Sequence, residues 1–590
     1  MSGNDENIRF APGGLNADGD HVFHWQLTSS SLTDPVILEI PPNDVLPVIF
    51  VPGIMGSNLR NIATKNPVWR LDSAPSYLNV SKLKDKPGGL IAGMAAKGPG
   101  RRQTDMQPLS VEVDPGGALP KQTVGSIYEL KQYVQRGWGE VGEGSYHSFL
   151  LWLEQALNGQ GYNPAKWPQF SYVSVSATPR PGEAPRPIPP LRPGIRMDLS
   201  GLPGAGERGP AELFSDDLIA RAHFRMPVYA CGYNWLDSNG VAAQRLRQRI
   251  LDVIKENSHA HSGCSQVVLV THSMGGLVAR ACQQLAGMQD SIAGVVHGVM
   301  PSIGAPIAYR RCKIGMLDEG GIEAKVGARV VGRTGQEVTA VFAQAPGALQ
   351  LLPTAQYGSG WLTIDGPSGK SVAVEPTTGD PYKDIYLRRD RWWGLIREEW
   401  LSPVGGTLLT WKDYKNNLTS ASKFHESIQN AYHPNTYVFY GKDRKIASFE
   451  GVHWQIRRGA VQPGDGQRPS PQQVRDMGFS DVRDDGSNPL KVGGEQKLVV
   501  AGMDGTGIVP STTVLDTSHW DLVCAVQDGG GDGTVPVSSG AFPLHSGGQA
   551  IQQQFGLEGI EHEPAYHDQT ARLVTLYSLQ KIATKSRITA

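Results

Sequence analysis

The segment Val267 to Arg280, VVLVTHSMGGLVAR, constrains the fold of this chain more than any other. Its first half is a run of apolar, mostly β-branched residues without polar alternation, the pattern of a strand buried on both faces. Its second half places Leu277, Val278 and Ala281 where a helix would bury them. Between the two the chain must turn sharply, with Ser273 at the apex and Gly275 and Gly276 beside it. Such a strand, turn and helix lift a serine hydroxyl above a sheet edge, the context that the G-x-S-x-G nucleophile turn requires. A serine that only N-caps the helix is the plainer reading of the same residues. Thr271 stands where the motif has glycine, so this turn is more crowded.

Other short apolar runs read as further strands: Val48 to Val51, Val228 to Tyr233, Val295 to Met300 and Tyr437 to Tyr440. Helical spacing recurs between them, in Ser145 to Leu157 through Phe149, Leu150, Leu153 and Leu157. It recurs again in Gly240 to Asn257 through Leu246, Ile250, Val253 and Ile254. Strands alternating with helices predict an α/β fold with a mostly parallel, doubly wound sheet. Two stretches interrupt the alternation. Residues 179–193 hold seven prolines and read as an extended surface connector, and residues 310–425 carry five of the thirteen tryptophans, which marks an inserted cap or lid. The expected division is an N-terminal extension (1–44), a first core segment (45–310), the cap insertion (311–425) and a second core segment (426–590).

Composition narrows the function. Across 590 residues, 55 Lys plus Arg nearly balance 56 Asp plus Glu, so no strong field is available to hold nucleic acid. The five cysteines are widely spaced without a C-x-x-C pair and predict neither a disulfide framework nor a zinc site. No basic and apolar leader opens the sequence, and no apolar window is long enough to span a bilayer. The expectation is a protein made in the cytoplasm without a cleaved signal peptide.

A serine needs a base, a group that orients the base and donors for the oxyanion. In α/β-hydrolases, whose nucleophile turn the Ser273 segment resembles, the serine is followed along the chain by an acid and then a histidine. Asp532 lies in GGGDGTVP, expected to be presented at the end of a strand such as Leu522 to Val526, with Asp528 and Asp504 as competing acids. His562 lies in GIEHEPAYHD, ahead of a last helix over Asp568 to Ile582. His567 competes with it but falls near the first helical turn, which favours His562 as the base. A third reading makes Asp532, His562, His567 and Asp568 metal ligands, at a spacing that matches no recognised zinc pattern. No cofactor is expected. The glycine turn after the first strand, PVIFVPGIMGSNL, offers the Ile54 amide as oxyanion donor, or Met55 in its place, paired with the Met274 amide. The segment YLRRDRWWGLIREEW (Tyr386 to Trp400) reads either as a helix covering the site with its aromatic face inward or as a surface at membrane headgroup depth.

Taken in order, VPGIMGSNL, SYHSFLLWLEQALNGQGY, ACGYNWLDS, THSMGGLVAR, GALQLLPTAQY, TYVFYG, GDGTVP and the histidine before the last helix resemble the α/β-hydrolase lipases typified by lecithin:cholesterol acyltransferase. The turn around Ser273 also resembles the GPI inositol-deacylase group. The likeness spans about residues 45–582 and implies an α/β-hydrolase core with inserted cap segments, acting on lipid acyl esters. With RGWGEV (Arg136 to Val141), the chain further resembles type VI secretion lipase effectors. That resemblance implies a membrane phospholipid substrate, a secretion-apparatus or chaperone partner, a cognate immunity protein and delivery into the periplasm of rival cells. An acyltransferase using the same triad, and a catalytically silent binding protein of the same fold, are the alternative functions.

Overall fold

A computed structural model of the chain describes residues 9–15, 21–23, 36–39, 42–70, 97–121, 130–158, 207–208, 213, 217, 220–221, 223–259, 263–319, 332–366, 371–459, 468–493, 495–504, 507–516 and 520–586. The proline-rich connector 179–193 lies outside the described residues.

Six strands form the central sheet: β1 (Val48–Val51), β2 (Val228–Ala230), β3 (Val267–His272), β4 (Ile292–Gly298), β5 (Thr436–Gly441) and β6 (Ile551–Leu557). Their order is β2-β1-β3-β4-β5-β6, and every neighbouring pair is parallel. Helices α1 (Ser148–Asn158), α2 (Asn239–Asn257), α3 (Gly275–Cys282) and α4 (Gln569–Ala583) cover it. The two-residue period of a strand explains how one sheet feeds two cores. Ile49, Val51, Val267 and Leu269 pack in one core with Leu246, Ile250 and Val253 of α2 and Leu277 and Val278 of α3. Val48, Phe50, Val268 and Val270 face the other core, with Phe149, Leu150 and Leu153 of α1 and Val574, Leu576 and Leu579 of α4. Each of these side chains, removed from water, contributes on the order of 1.5–3 kcal/mol.

The strand order also sets where a site can form. From β1 the chain crosses to β2 on one side and then returns to β3 on the other, so the loops after β1 and β3 leave the sheet side by side. In open α/β sheets this reversal opens a crevice beyond the carboxyl ends of the strands.

A second six-stranded sheet joins Ser371–Glu375, Leu362–Asp365, Val452–Arg458, Trp520–Cys524, Leu490–Val492 and Val482–Arg483 in that order. Two of its strands fall within 311–425 and four after residue 426. Its inner residues, Leu362, Ile364, Val452, Trp454 and Leu522 among them, are continuous with the core that holds α2 and α3. A fully buried ion pair between Lys313 and Asp484, at 2.7 Å, ties this layer to the core, and the Lys313 ammonium also donates to the Trp392 carbonyl. Charges so deep are tolerated only when paired and hydrogen-bonded.

The Tyr386 to Trp400 segment keeps the inward aromatic face of one expected form but neither its single helix nor the surface at headgroup depth. Turns and bends fill 387–397 between a π-turn that ends at Tyr386 and a short 3-10 helix from Glu398, in place of one continuous helix, while the aromatic face does point inward, with Trp392 and Trp393 only 0% and 1% exposed. Their indole N–H groups donate to the carbonyls of Val474 and Arg475, so the pair is packing material within the molecule. The strand expected to present Asp532 also differs. It is Trp520–Cys524, it belongs to the second sheet, and it is antiparallel to Val452–Arg458.

Candidate active site

β3 runs straight into the turn that carries Ser273. Its six residues are all buried, and the chain reverses at Ser273 with a φ of 51°, a left-handed value that costs a non-glycine residue about 1–2 kcal/mol. The Ser273 amide donates to the Gly298 carbonyl of β4 at 2.9 Å, which holds the strained turn down. The following glycines are required by space. A Cβ on Gly275 would lie 2.4 Å from the Val51 carbonyl oxygen, and one on Gly276 would lie 2.5 Å from the Met300 sulfur. Thr271, in the usual glycine position, is fully buried and hydrogen-bonds His297 Nδ1 at 2.9 Å.

Three distant parts of the chain meet here. His562 Nε2 lies 2.9 Å from Ser273 Oγ, and His562 Nδ1 lies 2.8 Å from Asp532 Oδ2. Asp532 is 2% exposed, and its other carboxylate oxygen accepts from the amides of Thr534 and Val535 at 3.0 and 2.7 Å. With the carboxylate so held, the proton of the neutral ring sits on Nδ1, which leaves the Nε2 lone pair for the serine hydroxyl. Asp532 reaches this place because β5 ends in glycine: a Cβ on Gly441 would meet the Asp532 Cβ at 2.6 Å.

The competing residues are engaged elsewhere. His567 Nε2 lies 3.1 Å from the Ser145 carbonyl, its donor directed away from Ser273. Asp528 pairs with His453 Nε2 at 2.9 Å and accepts from the Glu450 amide. Asp504 closes a strand of a separate hairpin, paired with Gly507. Asp568 caps α4 by accepting from the Ala571 amide, so the four residues of the metal reading do not converge.

The loop after β1 turns at Gly53 and Met55, the latter with a φ of 63°. The Met55 carbonyl accepts from the Trp69 indole at 2.7 Å, while its amide, like that of Ile54, donates to no described residue. The amides of Ile54 and Met274 donate to no described residue. Free amides at a helix start and in an adjacent turn are suited to receive a developing negative charge.

Sequence reasoning missed two residues next to this site. His272 immediately precedes Ser273, and Tyr146 lies in the SYHSFL motif just before α1. The Tyr146 hydroxyl and His272 Nδ1 are 3.0 Å apart. In the sequence His272 is marked only by adjacency to Ser273 and Tyr146 only by its place in the SYHSFL motif, since no periodicity or spacing marks a buried polar pair.

A parallel, doubly wound sheet with a serine on the turn after its third strand defines the protein as an α/β hydrolase by fold. Residues 242–316, which run from within α2 through β3, the serine turn, α3 and β4, match the family model for the PGAP1-like alpha/beta domain. Among solved structures, a chain of the crystal structure of the Tle4-Tli4 complex is similar over 91% of this chain and 98% of its own, with a TM-score of 0.65 and 27% identity. No curated protein sequence matches the chain. The match and the structural likeness agree with the α/β-hydrolase resemblance drawn from the ordered motifs.

Proposed function

We propose that this protein is a serine lipase of the phospholipase type, which cleaves acyl esters of membrane glycerophospholipids as an antibacterial type VI secretion effector. The observation that carries the chemistry is the hydrogen-bonded series from Ser273 through His562 to Asp532, with two unused amides beside the serine. In this reading Ser273 Oγ attacks the ester carbonyl carbon while its proton passes to His562 Nε2. Asp532 holds the Nδ1 proton and stabilises the imidazolium. The Ile54 and Met274 amides take the charge of the tetrahedral oxyanion, each worth on the order of 3 kcal/mol of transition-state stabilisation. The proton on His562 then goes to the leaving alkoxide, which departs as a lysophospholipid. Water, losing a proton to the same nitrogen, attacks the acyl-enzyme, and the fatty acid leaves as Ser273 regains its proton.

The effector role draws on the motif resemblance and on the Tle4-Tli4 likeness. A structural neighbour recorded in a two-protein complex supports a dedicated partner for this chain, which we take to be a cognate immunity protein. Among the described residues no helix is long and apolar enough to cross a membrane. The second sheet and the segment 311–425 would form the cap over the acyl-chain path.

A fluorophosphonate probe tests the nucleophile: it should label the wild-type protein and not Ser273→Ala. Phospholipid vesicles should release fatty acid and lysophospholipid in equal amounts with the wild type alone. Equal labelling of Ser273→Ala removes the serine from its role, and intact lipid in the presence of labelled enzyme removes the substrate class.

A further inference from the structure

Three loops must be held in register for the serine turn to work: the turn after β1, the turn itself and the segment that carries His562. One short chain of hydrogen bonds touches all three. The Gly53 amide donates to the Tyr146 hydroxyl at 3.2 Å, Tyr146 Oη lies 3.0 Å from His272 Nδ1, and His272 Nε2 lies 2.8 Å from the main-chain carbonyl of His562. The direction of every bond is determined by chemistry. A carbonyl oxygen can only accept, so His272 carries its proton on Nε2, and Nδ1 of the neutral ring must accept from the Tyr146 O–H. The tyrosine oxygen is then left to accept from Gly53. Burial, with His562 nearby, pushes the His272 imidazole down to about 3, so it stays neutral across the working range.

The glycines of the first loop record the same arrangement. A Cβ on Gly53 would lie 2.8 Å from His272 Nδ1, and one on Gly56 would lie 2.6 Å from the Tyr146 hydroxyl oxygen. Both positions are therefore shaped around this pair. Tyr146 sits in a single π-turn, Glu143–His147, of a kind that recurs at functional sites. The same turn braces the histidine loop at two more points, through Ser145 Oγ donating to the Glu563 carboxylate at 2.6 Å and the Ser145 carbonyl contacting His567.

We infer that Tyr146 and His272 are positioning residues, a tautomer-defined clamp that holds the Ile54 amide and the main chain of His562 in place around Ser273. This rests on the serine-hydrolase reading above. The clamp touches no reacting atom, and it acts by keeping the oxyanion donor and the base where the transition state needs them.

The test uses the full-length protein and a soluble short-chain p-nitrophenyl ester. Tyr146→Phe removes one oxygen and keeps the ring. It should lower kcat by about 10- to 100-fold, weaken a trifluoromethyl-ketone inhibitor in parallel and leave KM within about twofold, because only transition-state interactions are lost. His272→Gln can keep a donor to the His562 carbonyl but loses the acceptor for Tyr146, and it should show the same split. The double variant should be no worse than the more impaired single one, the signature of two residues acting as one unit. Unchanged kcat in Tyr146→Phe, or losses that multiply in the double variant, would overturn the clamp while leaving the triad standing. If Tyr146→Phe does not fold, His272→Gln alone decides through the same kcat and KM comparison. Wild-type protein that no fluorophosphonate labels would overturn the serine-hydrolase reading, and the clamp with it.

Discussion

His562 and Asp532 are joined twice: the His562 amide donates to the Asp532 carbonyl at 2.9 Å, and its ring Nδ1 meets the Asp532 carboxylate at 2.8 Å. The main-chain bond fixes where the histidine loop passes, and the side-chain bond fixes how the ring faces. A residue that only supplied charge would need the second bond alone.

Asp532→Asn should therefore preserve the loop path and lose activity. The amide cannot favour the Nδ1 proton as a carboxylate does, and a loss of about 10⁴-fold in kcat is expected from the wrong tautomer. Ester turnover at saturating substrate, with a thermal melt beside it, measures this. Activity near wild type would show that another acid orients His562.

His562→Ala and His567→Ala separate the two candidate bases. The first should remove ester turnover. The second removes one of the two contacts through which the Ser145 turn braces the histidine loop, so kcat should fall by no more than about tenfold while stability falls by about 1 kcal/mol. The opposite pattern would assign the base to His567.

Replacing Trp392 or Trp393 with serine should act through the core. Both indoles are buried and hydrogen-bonded to main-chain carbonyls, so each substitution should cost about 3–5 kcal/mol of stability. Losses on vesicles and on a soluble ester should be equal at a temperature where the variants remain folded. A loss confined to vesicles would point to a membrane-contacting role instead.

Acid should destabilise the protein below about pH 6.5. Burial pushes His272 and His297 down to about 3 and His425 down to about 4. Between those values and the unfolded value near 6.5, the unfolded chain binds protons that the folded one refuses, so stability falls as pH falls. Each such histidine contributes up to about 1.4 kcal/mol per pH unit in that window. Urea midpoints from pH 7 to 5 should decline, and His425→Gln should lessen the slope by about one proton. A flat profile would mean that these rings are not buried as neutral groups.

Much of the frame was legible because it rests on local pattern. The apolar run over Val267 to Val270 and the small residues around Ser273 imply a buried strand and a tight turn without reference to the rest of the chain. The helix over residues 239–257 shows itself through Leu246, Ile250 and Val253. Other features were not legible. The strand Trp520–Cys524 looks like any short apolar run, and only its pairing with Val452–Arg458 assigns it to the second sheet. Trp392 and Trp393 have the composition of an interfacial surface, and only the carbonyls of Val474 and Arg475 show them to be core.

Taken alone, the amino-acid order determined the alternating strands and helices, a serine on a sharp turn at a strand end, and a short set of acids and histidines downstream. Tertiary structure decided which members of that set meet. Asp532 rather than Asp528 faces His562, His567 turns toward Ser145, and Tyr146 and His272 link loops that are 93 and 290 residues apart in sequence. The physical reason is that strand and helix periodicity arise from bonds between near neighbours, whereas a buried polar contact depends on whichever partner the packed chain brings within about 3 Å.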